Sequence, residues 1–248
     1  MIDLRWQLPE APLRASVVTA KALGLVAVVV LASIVRAGLQ LGQLYPLKAS
    51  AVFAGAMLIA IGFVREHHRF ACFGPANEMT TARVMFVALV VSFIGEPTLP
   101  VVAASAAIAT LGITVLDAAD GWLARRSGMQ SDFGARFDME TDALLIMALA
   151  ILAWQYGKAG PWVLISGLLR YLFVAAGWVL PWMREPLFPS VRRKAICVVQ
   201  TAGLILTILP PIVPPASEWL AAVSLAALVY SFLVDTLWLW RRAPASGA

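Results

Sequence analysis

The chain has little charge, two cysteines and two histidines, and each shortage closes off a class of explanation. Charged residues make up only 13% of its 248 residues, while hydrophobic ones make up 61%. A soluble domain carries about twice that charge. With a mean hydropathy of +0.84, a water-soluble globule is excluded and a polytopic membrane protein is indicated. Cys72 and Cys197 both fall on the side that charge placement makes cytosolic, so no disulfide is expected and both are read as small hydrophobes. His67 and His68 are consecutive, not spaced as ligands on one helix face, and are read as solvated loop residues. The net charge of +5 is read as orientation bias and attraction to anionic lipid, so no nucleic-acid partner is expected.

What the chain has instead is apolar runs long enough to cross about 30 Å of hydrocarbon. They predict spans near 15–38, 46–64, 79–96, 99–121, 136–157, 160–182, 195–213 and 217–240. The breaks fall at 42–46, at the polar stretch 65–75, at Gly95-Glu96-Pro97, at 157–161 and at the prolines 210, 211, 214 and 215. The first run follows Arg5 and Arg14 as a signal peptide would. It is longer than a signal core and no cleavage site follows, so it is read as a retained span. The fold expected is all-α: a polytopic membrane helix bundle of about eight transmembrane helices. Residues 243–248 read as a frayed tail.

Charge tests this count. With eight spans, one side holds the basic residues from Arg5 and Arg14 through Arg65, Arg125, Arg136 and Arg192 to Arg242. The other side holds only Arg36, Lys48 and Lys158. The positive-inside rule then places both termini, and the most polar stretch of the chain, in the cytoplasm of an inner (plasma) membrane protein.

That polar stretch runs from Asp117 to Asp142. Asp117 and Asp120 are three apart and share a helix face, which Gly121 and Ala124 continue with almost no side chain and Arg125 closes. Asp138 and Asp142 are four apart on the next helix, expected to begin near Gly134. Carboxylates beside a membrane are costly and mark a functional site. Four together suit a hard divalent cation, Mg²⁺ or Mn²⁺, and the run's lack of His and Cys argues against zinc. Arg125 suits a phosphate. Glu140 points about 160° away from the Asp138–Asp142 face and is read as a partner for Arg136.

The run D-A-A-D-G-W-L-A-R, eight residues, then G-A-R-F-D-M-E-T-D resembles the signature of the CDP-alcohol phosphotransferase family. Asp117, Asp120, Gly121, Ala124, Arg125, Gly134, Asp138 and Asp142 meet every fixed position. Upstream, P-A-N-E-M-T-T-A-R resembles a second, weaker family pattern, with Asn77, Thr80 and Arg83 in place, one residue inserted after Pro75, and Met79 where leucine is usual. The resemblance covers roughly Pro75 to Trp240 and implies a six-helix catalytic core at 75–242. Residues 1–74 then supply two additional N-terminal helices and a cytosolic loop.

The resemblance implies a metal-dependent phosphatidyltransferase of phospholipid biosynthesis that releases CMP from a lipid-linked CDP donor. Asp117, Asp120, Asp138 and Asp142 are then ligands of two divalent ions, and Asp142 is also the general base. Gly121, Ala124, Arg125, Gly134, Asn77 and Thr80 bind the CDP part. A homodimer is implied. An aminoalcohol transferase, using CDP-choline or CDP-ethanolamine with diacylglycerol, is the alternative within the family. A cation-coupled transporter is the alternative from another class, but it needs its acids near mid-bilayer rather than at cytosolic helix ends.

The acceptor has to be read elsewhere. Arg170, inside the sixth span, is expected either to hold an anionic group, to pair with Asp235 or to snorkel to the interface. Arg192, Arg193 and Lys194 are expected just before the seventh span. Together they favour a phosphate-bearing alcohol over choline, which would want an aromatic cage. Trp154, Tyr156, Trp162, Tyr171, Trp178 and Trp182 are read mainly as membrane-interface aromatics. Gln200 is a weak further candidate for ligand binding.

Overall fold

Proline and left-handed residues cut the chain into its helices. The computed structural model describes residues 11–67, 75–127, 132–188 and 190–242, with side-chain surroundings over 22–58, 81–116, 137–188 and 190–242. Eight α-helices run through the described residues: α1 (Ala11–Leu39), α2 (Tyr45–His67), α3 (Pro75–Ser92), α4 (Pro100–Ser127), α5 (Asp132–Gln155), α6 (Ile165–Val179), α7 (Val191–Ile208) and α8 (Ala216–Arg242). Pro75 and Pro100 open α3 and α4, where a missing N–H costs nothing. Gln40, at φ 52°, ends α1, and the Leu41 N–H reaches back to the Arg36 carbonyl at 3.1 Å. Gly157, at φ 65°, does the same for α5, with the Lys158 N–H on the Ala153 carbonyl at 2.9 Å.

Each of the eight expected segments holds one helix, with shifted edges. The third ends at Ser92, because Phe93 to Glu96 form a turn. The sixth is broken: short 3₁₀ turns at Pro161–Leu164 and Pro181–Arg184 flank α6. The seventh starts four residues early, so Arg192, Arg193 and Lys194 lie in the first turn of α7 rather than ahead of it.

Among the described residues, three helices are long and apolar enough to cross a membrane, Ala22–Leu39, Pro161–Val179 and Ala216–Arg242; Thr81–Ser92 and Pro100–Leu116 are shorter apolar helices. Their outer faces are greasy, as lipid requires: Leu23, Val26, Ile34, Val179 and Val223 are all exposed. Trp219 and Trp240, both exposed, lie about 31 Å apart along α8 at 1.5 Å per residue. That separation matches the hydrocarbon thickness, the spacing expected of aromatics at the two interfaces of one span.

The chain divides into two compact units, Met1–Leu145 and Ile146–Ala248, with the division inside α5. In the first unit α1, α2 and α3 pack on one another and α3 packs on α4. Tyr45, fully buried, donates its hydroxyl to the Leu89 carbonyl at 2.9 Å and sets its ring 5.3 Å from that of Phe93. Glu96 accepts from the Gly42 N–H at 2.8 Å and from Lys48 Nζ at 2.7 Å. This contact brings the α1–α2 and α3–α4 connections together at one end of the unit, as up-and-down helices require.

In the second unit α7 packs along α8, and α6 also packs on α8. Lys158, after α5, donates to the Leu209, Pro210 and Ile212 carbonyls at 3.2, 3.2 and 2.5 Å. It thereby gathers carbonyls of the turn that follows α7, that of the C-cap residue Leu209 among them. Ser217 donates to the Lys158 carbonyl at 2.7 Å, which joins the α5–α6 and α7–α8 connections. The same alternation therefore holds in both units.

Candidate active site

The backbone carries the signature acids on two successive helices. α4 runs unbroken through Asp117, Asp120, Gly121, Ala124 and Arg125 to Ser127, and α5 resumes at Asp132, so Gly134, Asp138 and Asp142 lie in its first turns. Both acid pairs are thus within a few turns of the α4–α5 connection. The side-chain surroundings of Asp117, Asp120, Gly121, Ala124, Arg125 and Gly134, and those of Asn77 and Thr80 on α3, lie outside the described residues.

Asp138 and Asp142 are described, and one residue gathers them. Arg83, from α3, has a side chain only 1% exposed. Its Nη1 donates to Asp138 Oδ1 and its Nη2 to Asp142 Oδ1, the latter at 2.6 Å. The two carboxylates remain 40% and 29% exposed. The guanidinium therefore reaches them from the protein interior, and each acid stays partly accessible to solvent. A fork of this kind is a guanidinium property: two parallel donors in one plane can address two acceptors at once.

The donor set fits a hard cation. Two oxygen donors on adjacent turns already share one positively charged group, and oxygen ligands are those that Mg²⁺ and Mn²⁺ take. Among the described residues no group of three or more His, Cys, Asp or Glu is gathered; the other two signature acids are not among those whose side chains are described. Glu140 is exposed, while the side chain of its expected partner Arg136 is outside the described set.

The basic residues expected at the acceptor are arranged differently from one another. Arg192 donates from Nη1 to the Ser231 carbonyl and hydroxyl at 2.7 and 2.9 Å, and from Nη2 to Asp235 Oδ1 at 2.5 Å. Arg193 donates to the Phe188 carbonyl and lies 3.6 Å from the same Asp235 oxygen. Among the described residues the ion-pair partners of Asp235 are Arg192 and Arg193, where one expectation had Arg170. Three cations in the first turn of α7 oppose the helix dipole, and buried Asp235 offsets part of that cost. Lys194 is exposed and Arg170, on α6, is half-buried. Gln200 is fully buried, and neither end of its amide has a hydrogen-bond partner among the described residues. Burial pushes the Tyr156 hydroxyl up to about 12, so it stays protonated at any physiological pH.

Residues 73–232, more than half of the chain, match the family model for CDP-alcohol phosphatidyltransferase. The chain belongs to this family. No curated protein and no solved structure matches it. It is accordingly an integral membrane protein of a family that transfers substituted phosphate groups and generally uses divalent metal ions. The match begins after α2, so α1 and α2 lie outside it.

Sequence reasoning placed Arg83 in a pattern without giving it a role. The pairing joins residues 55 and 59 apart, and no local spacing reveals it. A lone arginine at the start of an apolar helix was the available signal, since such a charge requires partners.

Proposed function

We propose that the protein moves a phosphatidyl group from a CDP-diacylglycerol-like donor to the hydroxyl of a phosphate-bearing alcohol, with release of CMP. The observation that carries this reading is the Asp138–Asp142 pair, gathered round one cationic group inside the family-matched segment. In this reading Asp117, Asp120, Asp138 and Asp142 hold two divalent ions, Mg²⁺ or Mn²⁺. The bound ions would neutralise the donor diphosphate and the departing CMP. Gly121 and Ala124 border the cytidine, Arg125 pairs with the diphosphate, and Gly134, Asn77 and Thr80 complete the donor site.

Asp142 takes the proton of the acceptor hydroxyl as that oxygen attacks the β-phosphorus. The new P–O bond forms while the bond from that phosphorus to the bridging oxygen breaks, and CMP leaves with the electron pair. Arg170, Arg192, Arg193 and Lys194 receive the acceptor's anionic group. The concentration of cations at the start of α7 supports an anionic acceptor, because they and the helix dipole together attract negative charge. Charge distribution supports an inner-membrane enzyme with its site and both termini in the cytoplasm. The family relationship supports a homodimer.

The test is a panel assay on purified protein. Labelled CDP-diacylglycerol is supplied with Mg²⁺ or Mn²⁺ and each of glycerol 3-phosphate, inositol phosphate, inositol, serine, choline and phosphatidylglycerol. CMP release with a phosphate-bearing acceptor is the expected result. Turnover of labelled CDP-choline with diacylglycerol instead would replace this reading with the aminoalcohol one. Asp142→Asn should lower turnover about 10²–10⁴-fold, the usual contribution of a positioned base, while retaining donor binding. Full activity in that variant would refute the base assignment.

A further inference from the structure

We infer that Arg83 is a positioning residue, which holds Asp138 and Asp142 in the common orientation from which they grip a divalent cation. The inference rests on the reading that these two acids are metal ligands, and adds a residue to which neither spacing nor the roles proposed above assign a function.

Two carboxylates four residues apart on one helix repel each other. Left alone, each would turn toward water and away from its neighbour. Arg83 removes that freedom. Its side chain is 1% exposed, and a buried guanidinium is tolerated only when charged partners and hydrogen bonds surround it. One planar group donates to Oδ1 of both acids, from Nη1 to Asp138 and from Nη2 to Asp142. A single fork thus fixes the rotamers of two side chains relative to each other as well as to the backbone. Because the fork comes from the buried side and the acids stay 40% and 29% exposed, a cation would approach them from the side away from Arg83. Partners behind metal ligands orient them, and their loss commonly weakens metal binding about 10–100-fold.

A simple counter-charge makes the opposite prediction, and that separates the two roles. A positive charge behind the acids lowers their attraction for a metal ion, so removing it should tighten binding if charge were all that mattered. Orientation predicts weaker binding.

The experiment is Mn²⁺ titration of purified full-length protein in detergent, followed by the loss of the free-ion EPR signal, with substrate absent. Arg83→Lys keeps the charge but replaces the rigid planar fork with a compact, freely rotating ammonium; Arg83→Gln keeps a donor and loses the charge. Both should bind Mn²⁺ about tenfold more weakly than wild type while retaining helix content by circular dichroism. Unchanged or tighter binding in both variants overturns the inference and leaves the metal reading standing. Absence of Mn²⁺ binding by wild type would overturn the metal reading and this inference with it. Loss of folding in both variants assigns the fork to stability alone and also overturns it.

Discussion

Glu96 is a surface-loop acid that the fold has drawn inside. It is 6% exposed and sits between Lys48 Nζ and the Gly42 N–H. Burial works to raise its pKa, but the Lys48 hydrogen bond and charge and the Gly42 N–H outweigh it, and the net shift is downward from 4.5. The folded pKa thus lies below the unfolded one, so the group's stabilisation is fully present above about pH 4.5 and is lost as pH falls through the folded value. Glu96→Gln should lower the thermal midpoint at pH 7, by the equivalent of about 1–3 kcal/mol for a lost charged hydrogen bond. The gap to wild type should close as pH falls below 4.5. Parallel melting curves from pH 3 to 7 check both halves; a gap independent of pH would place the stabilisation elsewhere. The sequence showed Gly95-Glu96-Pro97 as a turn and Lys48 as a rare cation on its side. That the two meet across 48 residues is a tertiary fact, as is the Arg83 fork.

At the scale of helices, packing turns on a few small residues. A Cβ on Gly203 of α7 would lie 2.6 Å from the Ser224 Cβ of α8, and one on Gly167 of α6 would lie 2.7 Å from the Met147 Cα. By contrast, a Cβ on Gly55 meets nothing within 4 Å among the described residues. Gly203→Ala should therefore force α7 from α8 and cost about 1–3 kcal/mol, as overpacking does. Gly55→Ala should be neutral or stabilising by about 0.4–1 kcal/mol. Thermal unfolding in one detergent compares them, and equal effects would contradict the close α7–α8 contact. Helix positions were legible because apolar runs and prolines mark them. Edges were less so: Arg192 to Lys194 look like a loop by charge, but Asp235 from α8 lets them begin a helix. The candidate site was legible as the spacing of its acids, because helical periodicity is local. Its buried cation was not.

For the whole molecule, the contacts Gly42–Glu96 and Lys158–Ile212 each bring alternate connections to a shared end of their own unit. Combined with the scarcity of basic residues at those connections, this predicts that a reporter fused after Arg242 reads as cytoplasmic, and one placed in the α1–α2 connection as periplasmic. The reverse result would invert the proposed orientation. The family-matched segment starts at residue 73, yet the compact unit containing Arg83 and both described acids runs from Met1 to Leu145. Tyr45 reaches from α2 to the Leu89 carbonyl, two turns along α3 from Arg83. Ancestry and mechanics thus divide this chain at different places. For anyone recombining segments, a cut at residue 73 would part Tyr45 from the α3 carbonyl it supports, so α1 and α2 are best moved together with α3.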